Sequence, residues 1–321
     1  MSKPELLVAA KFPPYLMGRL QQDFTVHDRL HETDPSAFSR VAPNIRAIAC
    51  GGESKVPRAL MDRLPALEMV SVMGVGYDGV DVAAALERGV PVSHTPNVLN
   101  DDVADLAIAL MLSVARRIPQ ADRFVRTGQW SAGAFPLARK MSGARLGIVG
   151  MGRIGKAIAH RGAAFGMSIA YTARSEKADL AYRYHPSATA LASQVDFLVV
   201  ITPGGAGTAK MINRQVLEAL GPQGYLVNVS RGSVVDQAAL IEALQAGSIA
   251  GAGLDVFDAE PDVPQALREL DNVVLTPHIG SGTNATRQAM ADLAHANLVA
   301  HFGGQPLPSA VPECQAMVSP R

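Results

Sequence analysis

The sequence predicts an α/β protein built on doubly wound parallel sheets. Three observations predict it: short apolar, β-branched runs recur along the chain, they alternate with longer stretches of helical apolar spacing, and several runs end in small or polar residues. Continuous apolar runs separated by helices are what strands become when helices cover both faces of their sheet. The runs fall at 6–10, 45–50, 69–73, 145–150, 168–172, 197–202, 225–229 and 272–276. Their ends carry Gly150, Thr202-Pro203-Gly204, Ser230-Arg231-Gly232 and Pro277-His278. In open α/β sheets ligands sit beyond the carboxyl ends of the strands, so chemistry is expected at this edge.

Bulk properties narrow the function. A chain of 321 residues, 48% of them hydrophobic, can bury two separate cores and is neither disordered nor fibrous. Twenty-nine basic residues balance twenty-nine acidic ones, and no Lys/Arg run is long enough to grip a nucleic acid. Small ligands are the expected partners. The apolar run at 6–10 is too short for a signal-peptide core or a membrane span, which predicts no membrane partner and a cytoplasmic location. Cys50 and Cys314 have neither metal-ligand nor CxxC spacing, so both read as structural thiols and no metal site is expected.

Along the chain, the first turning point is Asn97-Val98-Leu99-Asn100-Asp101-Asp102, where cap-type and acidic residues precede an apolar-periodic stretch. That pattern predicts a long helix over 103–118 and a crossing from one domain to the next. Beyond it, 127–135 is poorly periodic and holds Trp130, the one tryptophan. An aromatic arm outside any core element predicts an interface with a second copy, against the plainer reading that Trp130 packs on its own domain.

Gly150-Met151-Gly152-Arg153-Ile154-Gly155 then matches GxGxxG. The match is weak alone, but an apolar strand precedes it, a helical stretch over 156–165 follows, and the strand at 168–172 completes a βαβ unit. The first glycine permits the tight turn, the second lets backbone approach a pyrophosphate, and the third packs helix on strand, with the helix N-terminus facing the phosphates. Both domains are therefore expected to be Rossmann-like with a cleft between them. The dinucleotide-binding domain spans 100–284 and is inserted into a substrate domain made of 1–99 and 285–321. After the second strand, Tyr171-Thr172-Ala173-Arg174-Ser175-Glu176-Lys177 offers no acid at the position that holds the ribose 2′-hydroxyl of NAD. Arg174, Ser175 and Lys177 could each bind a 2′-phosphate, which favours NADPH and leaves NADH possible; Glu176 weighs slightly the other way.

Three strand-end motifs add a catalytic set: Asn228-Val229-Ser230-Arg231-Gly232, then 255–261 with Glu260, then Thr276-Pro277-His278-Ile279-Gly280-Ser281. Each residue has a bland reading alone, as a solvated Arg, a turn-capping Glu and a structural His. Their order beside a dinucleotide motif suits reduction of a 2-oxo acid, in which Arg holds the carboxylate, His protonates the developing alkoxide and an acid keeps that His charged.

Together with Val75-Gly76-Tyr77-Asp78 and Asp81, the stretch Thr95–Asp105 and Gly253-Leu254-Asp255, these motifs make the chain resemble the D-isomer-specific 2-hydroxyacid dehydrogenases over essentially its full length. Within the family, Val98–Asp105 and Arg174-Ser175 look most like the glyoxylate/hydroxypyruvate reductases and their hydroxyphenylpyruvate-reducing relatives. The resemblance implies an NAD(P)H-dependent reductase of a small 2-oxo acid, with Arg231, Glu260 and His278 catalytic. It implies that Thr202, Pro203, Val229, Ser230, His278 and Gly280 line the cofactor and that Asp255 contacts the nicotinamide carboxamide. The amides of Val75 and Gly76, with Gly52 beside them, would join Arg231 and His278 in binding substrate. It also implies a homodimer through the Trp130 arm. Glu53, if turned inward, would repel a second acid group and so favour monocarboxylates. Two alternatives stay open: a bulkier 2-oxo acid such as hydroxyphenylpyruvate or 2-ketogluconate, and a non-catalytic cofactor-sensing protein.

Overall fold

Leu6, Leu7 and Val8 have no polar side chain to leave in water, and the computed structural model, which describes residues 3–318, buries all three completely in strand β1 (Glu5–Val8). β1 lies in a five-stranded sheet of order β2-β1-β3-β4-β5, with β2 at Thr25–Asp28, β3 at Ile45–Gly51, β4 at Met69–Met73 and β5 at Val92–Ser93. Every pairing in it is parallel. Ile48, Val70, Phe38 and Val92 fill its core, as does Cys50, a free thiol whose pKa burial pushes up to about 12. Cys314 is likewise free and buried.

Residues 3–99 with 284–318 make up this compact unit, and Asn100–Thr283 make up a second. The return crossing falls at Asn284, one residue before the expected 285; residues 1–2 and 319–321 of the expected first domain lie outside the described residues.

The second unit holds a seven-stranded sheet of order β12-β11-β10-β9-β6-β7-β8. Its strands are β6 (Arg145–Val149), β7 (Ser168–Thr172), β8 (Arg183–Tyr184), β9 (Phe197–Val200), β10 (Tyr225–Asn228), β11 (Gly251–Leu254) and β12 (Val273–Leu275), all parallel. β6 sits between β7 and β9, so the strand order reverses beside it, which opens a crevice at the carboxyl edge where ligands bind in such sheets. β6, β9, β10 and β12 each stop one or two residues short of the apolar run that predicted them, because the last residues leave the ladder to form the loops at that edge.

β11 is not among the apolar runs that predict strands, although reading 255–261 as a strand-end motif places a strand before it. Gly-Ala-Gly-Leu has too little side chain to look like one, and the reason is the helix packed across it. A Cβ on Gly253 would stand 3.0 Å from the Leu110 Cβ, and one on Gly251 would stand 3.0 Å from Val114 Cγ2. The small residues let the helix Asn100–Arg116 lie close on the sheet.

The expected helix over 103–118 is in fact two. The first runs Asn100–Arg116, Arg117 takes a left-handed backbone (φ 54°), and a second helix runs Ile118–Arg126. Pro119 lacks the N–H that would have bonded the Ala115 carbonyl, and the Arg139 amide takes that carbonyl instead at 3.0 Å. The chain beyond reaches a 3-10 turn at Gln129–Ala132 in which Trp130 is 68% exposed, with Leu137 fully so. Trp130 therefore does not pack on its own domain. Phe124 and Phe135 meet edge to face at 5.3 Å and the Arg117 guanidinium sits 5.4 Å from the Phe135 ring, which stiffens the arm without covering its apolar tip. Among the described residues no helix is long and apolar enough to cross a membrane.

Candidate active site

The fingerprint glycines behave as their spacing requires. Gly150 leaves β6 with φ 105°, and a Cβ there would lie 2.5 Å from the Ile201 carbonyl oxygen. A Cβ on Gly155 would lie 2.1 Å from the Gly150 oxygen, so the helix Arg153–Ala164 starts hard against the turn. Gly152 caps that helix with no side-chain hydrogen bond, and a Cβ there would meet nothing within 4 Å. A bare helix N-terminus facing open space through a glycine is what a pyrophosphate needs, so the residues fit a dinucleotide. Met151 is buried, Arg153 exposed and Ile154 half-buried.

The loop after β7 exposes Arg174 and Ser175, with Lys177 half-buried. On the other side of β6, Thr202 is half-buried and Pro203 exposed just beyond β9. Val229 is buried, and Ser230 turns its hydroxyl inward to Asn228 Oδ1 at 2.7 Å.

Register gathers the catalytic candidates. Asn228 of β10 pairs with Leu254 of β11, which pairs with Leu275 of β12, so the residues that follow all leave the sheet at one edge. Arg231 and His278 each stand three positions beyond these partners, Asp255 one and Glu260 six. Asn228, 1% exposed, organises the first turn: its amide donates to the Arg231 carbonyl at 2.9 Å and its oxygen accepts from the Ser230 amide at 3.1 Å. The Arg231 Nη1 donates to the Ser230 carbonyl at 2.9 Å. A Cβ on Gly232 would fall 2.0 Å from the Phe257 carbonyl carbon, so only glycine lets the Arg231 turn press against the segment leading to Glu260.

Glu260 is held at one oxygen and acts through the other. The Phe257 amide donates to Oε1 at 2.8 Å, while Oε2 lies 2.7 Å from His278 Nδ1. With the carboxylate accepting, Nδ1 carries the proton of the pair and Nε2 points the other way.

His278 has φ 51°, a left-handed backbone that costs a residue of this type about 1–3 kcal/mol unless its surroundings fix it. Asp255 supplies the fixing. Its backbone carbonyl accepts the His278 amide at 2.9 Å. Its Oδ1 accepts from Thr276 Oγ1 at 2.6 Å and from the Ile279 amide at 2.8 Å, and its Oδ2 accepts from the Gly280 amide at 2.8 Å. Burial to 1% exposure pushes the Asp255 carboxyl above its usual range, against those hydrogen bonds and the nearby His278, which pull it down. The structure thus gives Asp255 a positioning task. The sequence reading missed that task, and missed Asn228 and the Phe257 amide as well; polar residues ending apolar strands were the available signal.

In the other unit, the expected substrate residues also come together. Gly51 of β3 pairs with Met73 of β4, and a Cβ on Gly74 would stand 2.9 Å from Gly52 Cα, so the loops carrying Gly52 and Val75-Gly76 touch. His94 Nδ1 lies 3.0 Å from the Val75 carbonyl and holds that loop from behind.

Comparison with known proteins adds to this geometry. Residues 108–280 match the family model for the D-isomer specific 2-hydroxyacid dehydrogenase, NAD binding domain. Hydroxyphenylpyruvate reductase from Plectranthus scutellarioides is 51% identical over 83% of this chain and 85% of its own. A glyoxylate/hydroxypyruvate reductase from Arabidopsis thaliana is 45% identical over 94% of this chain and 97% of its own. The solved structure of an NADPH-dependent glyoxylate/hydroxypyruvate reductase from Sinorhizobium meliloti, in complex with NADP and malonate, superposes with a TM-score of 0.92. It is 46% identical and covers 100% of this chain and 99% of its own.

Proposed function

The chain belongs to the D-isomer specific 2-hydroxyacid dehydrogenase family, and from that premise we propose that it reduces a small 2-oxo acid of the glyoxylate/hydroxypyruvate type to the D-2-hydroxy acid, with NADPH ahead of NADH. The observation that carries the catalytic reading is the 2.7 Å pair between Glu260 and His278 Nδ1, which keeps a proton on the ring and turns Nε2 toward a substrate oxygen. The bound nicotinamide cofactor supplies the hydride. Arg231 binds the substrate carboxylate and polarises the carbonyl through its planar fork, and His278 delivers the proton to the alkoxide as it forms. Asp255 Oδ2 has a further lone pair beyond the one the Gly280 amide engages, which suits it to accept from a carboxamide as well. Gly52, Val75 and Gly76 are proposed to bind substrate on the strength of their grouping at the carboxyl edge of the five-stranded sheet.

Preference for NADPH rests on Arg174, Ser175 and Lys177 in a loop whose strand end carries no acid, and on the likeness to an NADP-bound reductase. The test is reduced-cofactor absorbance, NADPH beside NADH, with the purified protein on glyoxylate, hydroxypyruvate, pyruvate, hydroxyphenylpyruvate and 2-ketogluconate. Faster turnover with NADPH on the small 2-oxo acids is expected. Preference for NADH overturns the cofactor reading alone, and preference for hydroxyphenylpyruvate moves the substrate to the bulkier class, which the likeness to the Plectranthus enzyme favours.

The bare apolar tip of the Trp130 arm supports a homodimer. Light scattering should give twice the chain mass of 33.7 kDa, and a monomer at micromolar concentration would overturn the reading. The two unpaired, buried cysteines favour a reducing, cytoplasmic setting.

A further inference from the structure

Tyr171, the penultimate residue of strand β7, is completely buried, yet it carries a hydroxyl that a core position has no use for. The hydroxyl accepts a hydrogen bond from the Lys177 backbone amide at 2.7 Å. Its ring lies against Tyr184 of β8, centroids 5.6 Å apart. The loop between Tyr171 and Lys177 is the one that exposes Arg174 and Ser175. Two further ties hold it: the Tyr184 hydroxyl donates to the Ala173 carbonyl at 3.5 Å, and on the far side Lys156 Nζ pairs with Asp179 at 2.7 Å. Both partners of that pair are largely exposed, and such pairs contribute little. The buried hydroxyl is the stronger anchor, since its oxygen accepts from a backbone amide that a phenylalanine would leave unpaired.

We propose that Tyr171 is a cofactor-specificity residue that never touches the cofactor: its hydroxyl pins the Lys177 amide and so presets Arg174, Ser175 and Lys177 in the spacing that receives a ribose 2′-phosphate. The proposal rests on the NADPH reading above. Two cations and a hydroxyl on a slack loop would have to be ordered at the moment of binding, and that ordering subtracts from affinity for the phosphate alone. AMP, which lacks the 2′-phosphate, gains nothing from the preset loop.

Calorimetric titration of the full chain with adenosine 2′,5′-bisphosphate and with 5′-AMP tests it. The unaltered protein should bind the bisphosphate tenfold or more tightly than AMP, about the least expected of a charge-assisted phosphate clamp. Tyr171→Phe, which keeps the ring and its packing, should weaken the bisphosphate about three- to tenfold, the size of one lost hydrogen bond. AMP binding should hold, and the Km for NADPH should rise by the same factor with kcat at saturation retained. Asp179→Ala should cost less than twofold in the same ratio. Unchanged discrimination in Tyr171→Phe, equal weakening of both ligands, or a larger loss in Asp179→Ala would each overturn the role of Tyr171. No discrimination in the unaltered protein would overturn the NADPH reading itself, a result distinct from the other three.

Discussion

Replacing His278 by Ala is expected to lower turnover in 2-oxo acid reduction by roughly two to four orders of magnitude, the range over which a positioned general acid acts. The loss should fall on kcat, because the proton moves in the transition state and not on binding. Two features of the structure shape the experiment. His278 lies in the left-handed region, where alanine is disfavoured, so His278→Ala disturbs the 276–280 loop as well as removing the acid. Asparagine adopts that backbone more readily and cannot donate from an imidazolium, so His278→Asn isolates the chemistry. His278→Asn should retain most of the NADPH affinity, since the fingerprint turn at Gly150 to Gly155 is built independently on β6. Steady-state kinetics with glyoxylate or hydroxypyruvate, beside cofactor titration by fluorescence, would decide. A fall of less than tenfold in His278→Asn would mean that another group delivers the proton.

What the sequence could show and what it could not follow from the physics of each feature. β4 and β7 were legible to the residue because apolar, β-branched side chains declare a strand buried on both faces. β11 carries no such signal of its own, because a strand crossed closely by a helix must give up its side chains, and only the strand-end reading of 255–261 pointed to it. The break at Arg117 is signalled two residues later by Pro119, but an apolar period that continues through Ile118 hides it. The candidate catalytic groups were legible through motif order, since Arg231, Glu260 and His278 follow consecutive strands whose parallel register brings them to one edge. Their supports were not. Asn228, Asp255 and Tyr171 act through backbone amides and carbonyls, and those partners have no letter of their own in a sequence.

The sharpest separation between a structural and a chemical role for Glu260 comes from pH. The carboxylate accepts from Nδ1 of His278 and so favours the imidazolium; its other oxygen is fixed by the Phe257 amide, which leaves it little freedom to turn away. In Glu260→Gln the side-chain oxygen would keep the Phe257 amide, and the amide nitrogen would then face Nδ1. Such a nitrogen can only donate, so it stabilises the neutral ring and opposes the imidazolium. Reduction needs the imidazolium, so its rate falls as pH rises through the histidine's apparent pKa in the complex. Glu260→Gln should therefore move the basic limb of the reduction profile to lower pH. A charged hydrogen bond of about 1.5–3 kcal/mol, at 1.36 kcal/mol per unit, sets the displacement at about one to two units. Oxidation needs the neutral ring, so its acidic limb should move to lower pH by the same amount, and the variant should oxidise at pH values where the unaltered enzyme is still protonated. A merely structural role would depress both directions at every pH and leave the limbs where they were. Full pH profiles of kcat in both directions would separate the two, and unmoved limbs with a lower plateau would remove Glu260 from the proton chemistry.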